Sequence, residues 1–490
     1  MLKIKINYQI NHFINGQGIK PNGSEVYQII NPSTQEKLDQ VILDDVNNLD
    51  KAIENSSIVY NSWKELAMNK RIQLLISWYN WIKNKKEDFI KLINLENGKT
   101  INDATAEFTR GLEVLQYAFS LQPLTSGNHS QVNTDISIYT VKESLGVCAG
   151  ICPFNFPFMI PMWMIPISIA LGNTFVIKPS EKVPSTVLLL AEGAIKSGIP
   201  KGVINVVQGG IKVVNRLIEH PQVKTISFVG STKIGISIHQ LATKYRKKVQ
   251  CNMGAKNHCV ITESANLDST VNNIIGAAFG GAGQRCMALS VAIVVGNNTK
   301  FLNKLIDKVK TIDIVKEMGP LINNQSRIFI NQKIEESIKQ ESEILLDRRN
   351  DIPENGFYFG PVLIKTNINT SVYKNELFGP VLSIIQVNTL EEAINLINSN
   401  PYGNGTCLFS DSLQDINLFQ NNIDVGQIGI NLPIPVPPPY YSWSSSKDSF
   451  IGNNYIYGPQ SIDFYTKTKT VMIRDDKKKG KENTLIMPTN

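Results

Sequence analysis

Residues 276 to 290 read Gly-Ala-Ala-Phe-Gly-Gly-Ala-Gly-Gln-Arg-Cys-Met-Ala-Leu-Ser, delivering one thiol, Cys286, directly after Arg285. Glycines let a backbone approach a bound molecule closely. A thiol in an electropositive, partly open setting loses its proton more easily and becomes the reactive thiolate. Most cysteines are small buried hydrophobes; the glycines and Arg285 weigh against that reading here and make Cys286 the nucleophile candidate. A second feature is Gly230-Ser-Thr-Lys-Ile-Gly235, which follows an apolar run. If it opens a helix, Gly230 and Ser231 present backbone N–H groups to a phosphate, although the glycine pair departs from Gly-x-Gly-x-x-Gly and is weak by itself. The five histidines are scattered singly, with no zinc spacing; no metal is expected.

These residues need rigid carriers. Leu49, Ala52, Ile53, Tyr60 and Trp63 recur at helical spacing, and a second helix is expected over 71–95, ending before Gly98. Residues 126–144 alternate partly, as an exposed hairpin would. From Asn173 the pattern is strand 174–178, helix 184–196, strand 203–207, helix 211–219 and strand 224–229, a parallel α/β layer whose last strand runs into Gly230. A second α/β run over 253–450 carries Cys286. The close, 462–471, alternates as an edge strand that could pair with the hairpin, which suggests an oligomer.

With 490 residues, 42% hydrophobic and 19% charged, the chain can bury a sizeable core divided among two or three domains. Six cysteines without a paired framework suit a reducing compartment. The net charge of +7 owes much to Lys477, Lys478, Lys479 and Lys481 in a tail expected to be solvated; nucleic-acid binding is not expected. The most apolar stretch, 156–171, is broken by three prolines and falls short of a span of roughly 20 residues, so no membrane partner is expected. The start of the chain has neither an apolar signal core nor an arginine- and serine-rich presequence. A cytoplasmic address is expected, or a mitochondrial matrix one were a presequence missing.

Taken in order, Pro153-Phe154-Asn155-Phe-Pro157, Lys178-Pro-Ser-Glu181, Phe228-Val-Gly230-Ser231, Gly283-Gln-Arg-Cys286, Glu376-Leu-Phe378-Gly-Pro and the Phe464-Tyr-Thr-Lys ending resemble the aldehyde dehydrogenase superfamily over nearly the whole chain. The resemblance implies an α/β fold with a Rossmann-type NAD-binding domain (1–125 and 146–252), an α/β catalytic domain (253–452), oligomerisation strands (126–145 and 460–475) and a flexible tail (476–490). It further implies a homodimer or homotetramer. Cys286 would attack an aldehyde, and Asn155 with the Cys286 backbone N–H would form the oxyanion hole. Lys178 and Glu181 would hold the adenosine ribose, with Glu181 favouring NAD over its phosphorylated form. Glu376 and Phe378 fall at the nicotinamide ribose and ring, and Phe154, Gly230 and Ser231 belong to the same cofactor site.

One departure bears on the reaction. Most members carry a general-base glutamate in Glu-Leu-Gly-Gly-Lys; here the segment is Asn252-Met-Gly-Ala-Lys256. An amide cannot take a proton from water near neutral pH. A thiol acceptor ionises near ~8.5 against ~15.7 for bulk water and needs far less help; coenzyme A is such a thiol. Segments 252–258, 283–290 and 431–437 are similar to the methylmalonate-semialdehyde dehydrogenase branch, which makes acyl-CoA. The resemblance then implies NAD-dependent oxidation of methylmalonate or malonate semialdehyde with decarboxylation, the substrate carboxylate being held by Arg110 and Arg285. The alternatives are a hydrolytic aldehyde dehydrogenase releasing a free acid, with another Glu or a water chain as base, and a catalytically silent dinucleotide-binding paralogue. Ser445 and Lys447 replace a glycine and an arginine usual in the branch, in a loop near the acyl pocket.

Overall fold

In the strand Thr174–Lys178, Phe175 and Ile177 enter one apolar cluster while Val176 enters another. Alternate side chains of a strand point to opposite faces, so this strand is covered on both sides, as a parallel α/β layer requires. The computed structural model describes residues 10–475; the lysine-rich tail and the first nine residues lie outside the described residues.

Eight strands form the first sheet. Its five central strands run parallel in the order Ile204–Val206, Thr174–Lys178, Val147–Ile151, Val223–Val229, Lys248–Asn252, and antiparallel strands flank them at both edges. One edge strand, Phe450–Gly452, comes from about 200 residues further along the chain and pairs Phe450 with Asn252. The second sheet has seven strands, parallel except for the edge strand Glu343–Asp347. Within it, Cys259 and Ile261 face one cluster and Val260 the other. The expected α/β runs are therefore both present, with strand and helix bounds matching to within one residue at 174–178, 184–196, 203–207, 211–219 and 224–229.

Four helices, α1 (Val46–Glu65), α2 (Met68–Asn84), α3 (Lys86–Asn97) and α4 (Ile101–Ala118), make the front layer. The single helix expected over 71–95 is two. Lys85 leaves the helical region (φ −102, ψ 15), and α3 restarts with Glu87 and Asp88 in its first turn, where carboxylates favour the helix dipole. Gly98 ends α3 with φ 80, as a left-handed cap requires. The hairpin forms as His129–Asn133 and Ile136–Ser144, and Thr466–Arg474 pairs with it in register from Ser144 to Ile136. That pairing is internal to one chain, so it no longer argues by itself for an oligomer. Among the described residues no helix is long and apolar enough to cross a membrane.

Candidate active site

The helix Leu267–Phe279 ends in a glycine turn in which Gly281 (φ 59), Ala282 (φ 53) and Gly283 (φ 70) all adopt left-handed backbone. A Cβ on Gly283 would lie 2.4 Å from the Gly379 carbonyl oxygen, so the loop bearing Cys286 sits directly on the Leu-Phe-Gly-Pro turn that carries Glu376 and Phe378. Cys286 follows, half-buried. Its thiol is not activated as expected. Burial pushes it up to about 12, and the Glu376 carboxylate pushes the same way; the N–H groups of Cys286 and Met287 and the Lys99 ammonium pull it down.

Arg285 is not among those groups. Its Nη2 donates to Asp103 at 2.5 Å and its Nη1 to the Gly276 carbonyl at 3.2 Å, and the guanidinium packs over Gly280. Adjacent residues need not direct their head groups to one place; the cation that lowers the thiol is Lys99, from the turn between α3 and α4.

Lys99 also fixes the oxyanion candidate. Its Nζ donates to the Asn155 carbonyl and to Glu107 on α4, each at 2.6 Å, while Glu107 accepts the N–H groups of Phe158 (2.8 Å) and Met159 (3.2 Å) at the start of the helix Met159–Ala170. The Asn155 side chain, 4% exposed, donates to the Gln284 carbonyl at 3.1 Å. Asn155 and the loop bearing Cys286 are therefore in direct contact.

Cys286, Arg285, Glu376 and Phe378 line one pocket with about 330 Å³ of open space. Glu376 accepts the Ala255 N–H at 3.0 Å, and burial raises its carboxyl to about 7. Lys256, lowered to about 7 by burial, donates to the carbonyls of Val372 (2.6 Å) and Asn375 (2.8 Å), tying down the turn before Glu376. Phe154 meets Phe378 edge-on at 5.9 Å. Ser231 stands at the N-cap of the helix Thr232–Lys244, and the Gly230 N–H donates to the Asn252 carbonyl at 3.1 Å. A Cβ on Gly254 would come within 2.7 Å of both Glu376 Oε2 and Thr232 Oγ1, so the helix terminus and Glu376 converge on a backbone that tolerates no side chain. Lys178 is buried, its Nζ donating to the carbonyls of Pro179 (2.8 Å) and Gly209 (3.0 Å) and lying 3.7 Å from Glu181. Phe154, Lys178, Gly230 and Ser231 lie at the carboxyl ends of parallel strands of the first sheet, where open α/β sheets bind ligands, and Lys256, Cys286 and Glu376 precede strands of the second sheet.

Arg110 lies elsewhere, in a second pocket with Glu113, Trp163, Val436, Pro437 and Tyr457. Its Nη1 donates to Glu113 at 2.7 Å and its Nη2 to the Val436 carbonyl at 3.3 Å. Tyr457, which lines this pocket, feels the charges of both Arg110 and Cys286. The two arginines do not converge, and each already carries a carboxylate partner. Asn252 is 6% exposed, and neither atom of its amide finds a hydrogen-bond partner among the described residues. Lys447 turns to the Asn398 carbonyl (2.9 Å) and Asp424 (3.6 Å), whereas Ser445 is buried and donates to Asn404. Lys99, Asp103, Glu107, Asn257 and Asn404 were not singled out from the sequence; they sit inside helices, turns or strand starts with no motif spacing, and only long-range contacts reveal them.

The aldehyde dehydrogenase family model matches residues 19–471, and the chain belongs to that family. Within it, the chain is 40% identical to the Bos taurus enzyme named methylmalonate-semialdehyde/malonate-semialdehyde dehydrogenase [acylating], mitochondrial, over 94% of this chain and 88% of that one. It is also 40% identical to the malonate-semialdehyde dehydrogenase of Pseudomonas aeruginosa, covering 95% of this chain and 96% of the relative. A crystal structure of a Sinorhizobium meliloti relative complexed with NAD superposes with a TM-score of 0.93 at 35% identity, covering 95% of this chain and 98% of that one.

Proposed function

We propose that the chain is an NAD-dependent, CoA-acylating dehydrogenase of methylmalonate and malonate semialdehyde, giving propionyl-CoA and acetyl-CoA with loss of carbon dioxide. The observation that carries the CoA step is Asn252, a buried amide without a partner where a water-activating carboxylate would otherwise stand. The names of the relatives point the same way.

Cys286 is the nucleophile, and its proton leaves to a neighbouring base, for which Glu376, at about 7, is suited near neutral pH. Asn155 Nδ2 and the Cys286 N–H donate to the oxyanion. NAD, when bound, accepts the hydride. The residues fit that cofactor: Ser231 and Thr232 present a helix N-terminus, and Lys178 with Glu181 offers a donor and an acceptor to ribose hydroxyls. The resulting thioester on Cys286 sits beside a carboxylate-bearing carbon, and its carbonyl accepts the electron pair released with carbon dioxide while Asn155 again holds the oxygen; the enolate so formed takes up a proton at the carbon that lost the carboxylate, leaving a propionyl or acetyl thioester. The CoA thiol then displaces Cys286. Arg110 holds the substrate carboxylate by exchanging it against Glu113, while Arg285, which lines the other pocket, stays on Asp103.

A hydrolytic reading has one observation in its favour: Glu376 lines the Cys286 pocket and titrates near neutrality, so it could serve water instead. The discriminating experiment is NADH production from malonate semialdehyde with and without CoA. A single stoichiometric burst without CoA and sustained turnover with it are expected; equal steady rates would overturn the CoA step. NAD binding without any NADH would indicate a silent paralogue.

For the assembly we propose the division drawn from the sequence, with 126–145 and 460–475 serving a homodimer or homotetramer. The support is a free edge: every residue of His129–Asn133 is exposed, and the same three-stranded sheet exposes Val132, Val141, Met472 and Ile473. A reducing compartment, cytoplasm or mitochondrial matrix, suits six free cysteines.

A further inference from the structure

The carbonyl oxygen of Cys286 accepts two side-chain amides, Asn257 Nδ2 at 2.8 Å and Asn404 Nδ2 at 3.0 Å. Both asparagines are buried, 3% and 5% exposed, and they stand at the starts of neighbouring parallel strands, Asn257–Ile261 and Gly405–Phe409. Asn257 is thus carried by the sheet itself, and Asn404 by the single-residue bend between Tyr402–Gly403 and Gly405–Phe409.

Each amide is held in turn. Asn257 Nδ2 also donates to the Ala288 carbonyl at 3.0 Å, and its Oδ1 accepts the Gly405 N–H at 3.1 Å. Asn404 Oδ1 accepts the Ser445 hydroxyl at 3.2 Å, and its Nδ2 touches the Met287 sulfur. A Cβ on Gly405 would lie 2.4 Å from the end of the Met287 side chain, so the glycine makes room for this packing. A trans peptide directs its N–H opposite its C=O. Pinning the Cys286 oxygen therefore sets the direction of the Met287 N–H, one of the two backbone donors that favour the thiolate.

We infer that Ser445, Asn404 and Asn257 are positioning residues that hold the 286–287 peptide so that the Met287 N–H donates to the Cys286 sulfur. The inference rests on the reading of Cys286 as nucleophile. A donor aimed at sulfur helps twice, since the thiolate is the attacking group in acylation and the leaving group when the acyl chain departs to CoA. Ser445 is the outermost of the three, and it stands where the resembled branch carries a glycine, so here the grip on Asn404 has one more member.

The test is the pH profile of iodoacetamide alkylation of the full-length protein, with the labelled cysteine identified by peptide mass spectrometry. The wild type labels at Cys286. In Asn404→Ala the midpoint moves to higher pH, and labelling near neutrality slows about 3- to 10-fold, the worth of one hydrogen bond. Ser445→Ala moves it the same way by less, and Ser445→Thr, which keeps the hydroxyl, returns it towards wild type. NAD binding and the melting temperature report folding; should Asn404→Ala fail to fold, the Ser445 pair decides. Profiles superimposing on wild type in folded variants would overturn the inference. Wild-type labelling at another cysteine would overturn the nucleophile reading beneath it, whatever the acyl acceptor.

Discussion

On the proposed CoA-acylating function, replacing Asn252 by glutamate should add hydrolysis of the Cys286 thioester to its transfer to CoA. The site is 6% exposed and its amide atoms are unpartnered, so the substitution breaks no hydrogen bond of the native side chain. Burial in this protein raises the carboxyls of Glu96 and Glu376 to about 7. A glutamate at 252 with a similar pKa would be about nine-tenths ionised near pH 8 and close to the best basicity for taking a proton from water. General-base assistance of this kind is worth about 10²-fold or more. The longer side chain costs about 1 to 3 kcal/mol of packing, and Asn252→Asp serves as a shorter companion. The assay is steady-state NADH production without CoA, after the first turnover. Asn252→Glu should sustain turnover at about 100 times the wild-type rate, rising with pH through the carboxyl's titration because the base works only when deprotonated. A variant that binds NAD and gives a full burst, yet turns over no faster than wild type, would refute this account of residue 252.

Lys99→Met leaves Glu107 buried without its cation and frees the Asn155 carbonyl; with side chains only 6% and 1% exposed, loss of the pair should cost about 3 to 5 kcal/mol. A clear fall in melting temperature and a slower NADH burst are expected, and an unchanged burst would separate Lys99 from the oxyanion loop. Arg110→Leu should lower the preference for semialdehyde acids over propanal about tenfold, the scale of one charge-assisted hydrogen bond; unchanged selectivity would remove its role. Stability should fall as pH drops below the unfolded histidine value of 6.5. Buried His12 has a lowered folded pKa, as does His258 at about 3, so the unfolded chain binds the extra protons. His12→Gln should flatten that slope in melting temperature, since His12 Nδ1 accepts the Gln208 N–H at 2.9 Å only while unprotonated.

Local pattern made the elements legible. The succession of short apolar strands and helices located 174–178 and 224–229, and Gly98 stopped a helix, because those signals act within a few residues. The Cys286 loop was legible from its glycines, whereas Asn155 and the Glu376 turn were singled out only through the resemblance of their motifs to the family, and the structure brings all three into contact. What sequence did not yield is where charged head groups go. Arg285 adjoins Cys286 in the chain, yet its guanidinium reaches Asp103, while Lys99, 187 positions away, supplies the cation. Long flexible side chains choose partners across the fold, and spacing along the chain does not constrain that choice. The hairpin and terminal strand illustrate the same limit: alternation predicted that they pair, and only the fold shows that they pair within one chain.

The central claim is that the acyl group on Cys286 waits for a thiol rather than water. Intact-protein mass spectrometry after mixing with NAD and malonate semialdehyde in the absence of CoA tests it directly. An acyl adduct mapped to Cys286, persisting for many turnover times and discharged as acyl-CoA when CoA is added, is the predicted result. Unmodified protein with free acid accumulating before any CoA is present would contradict it.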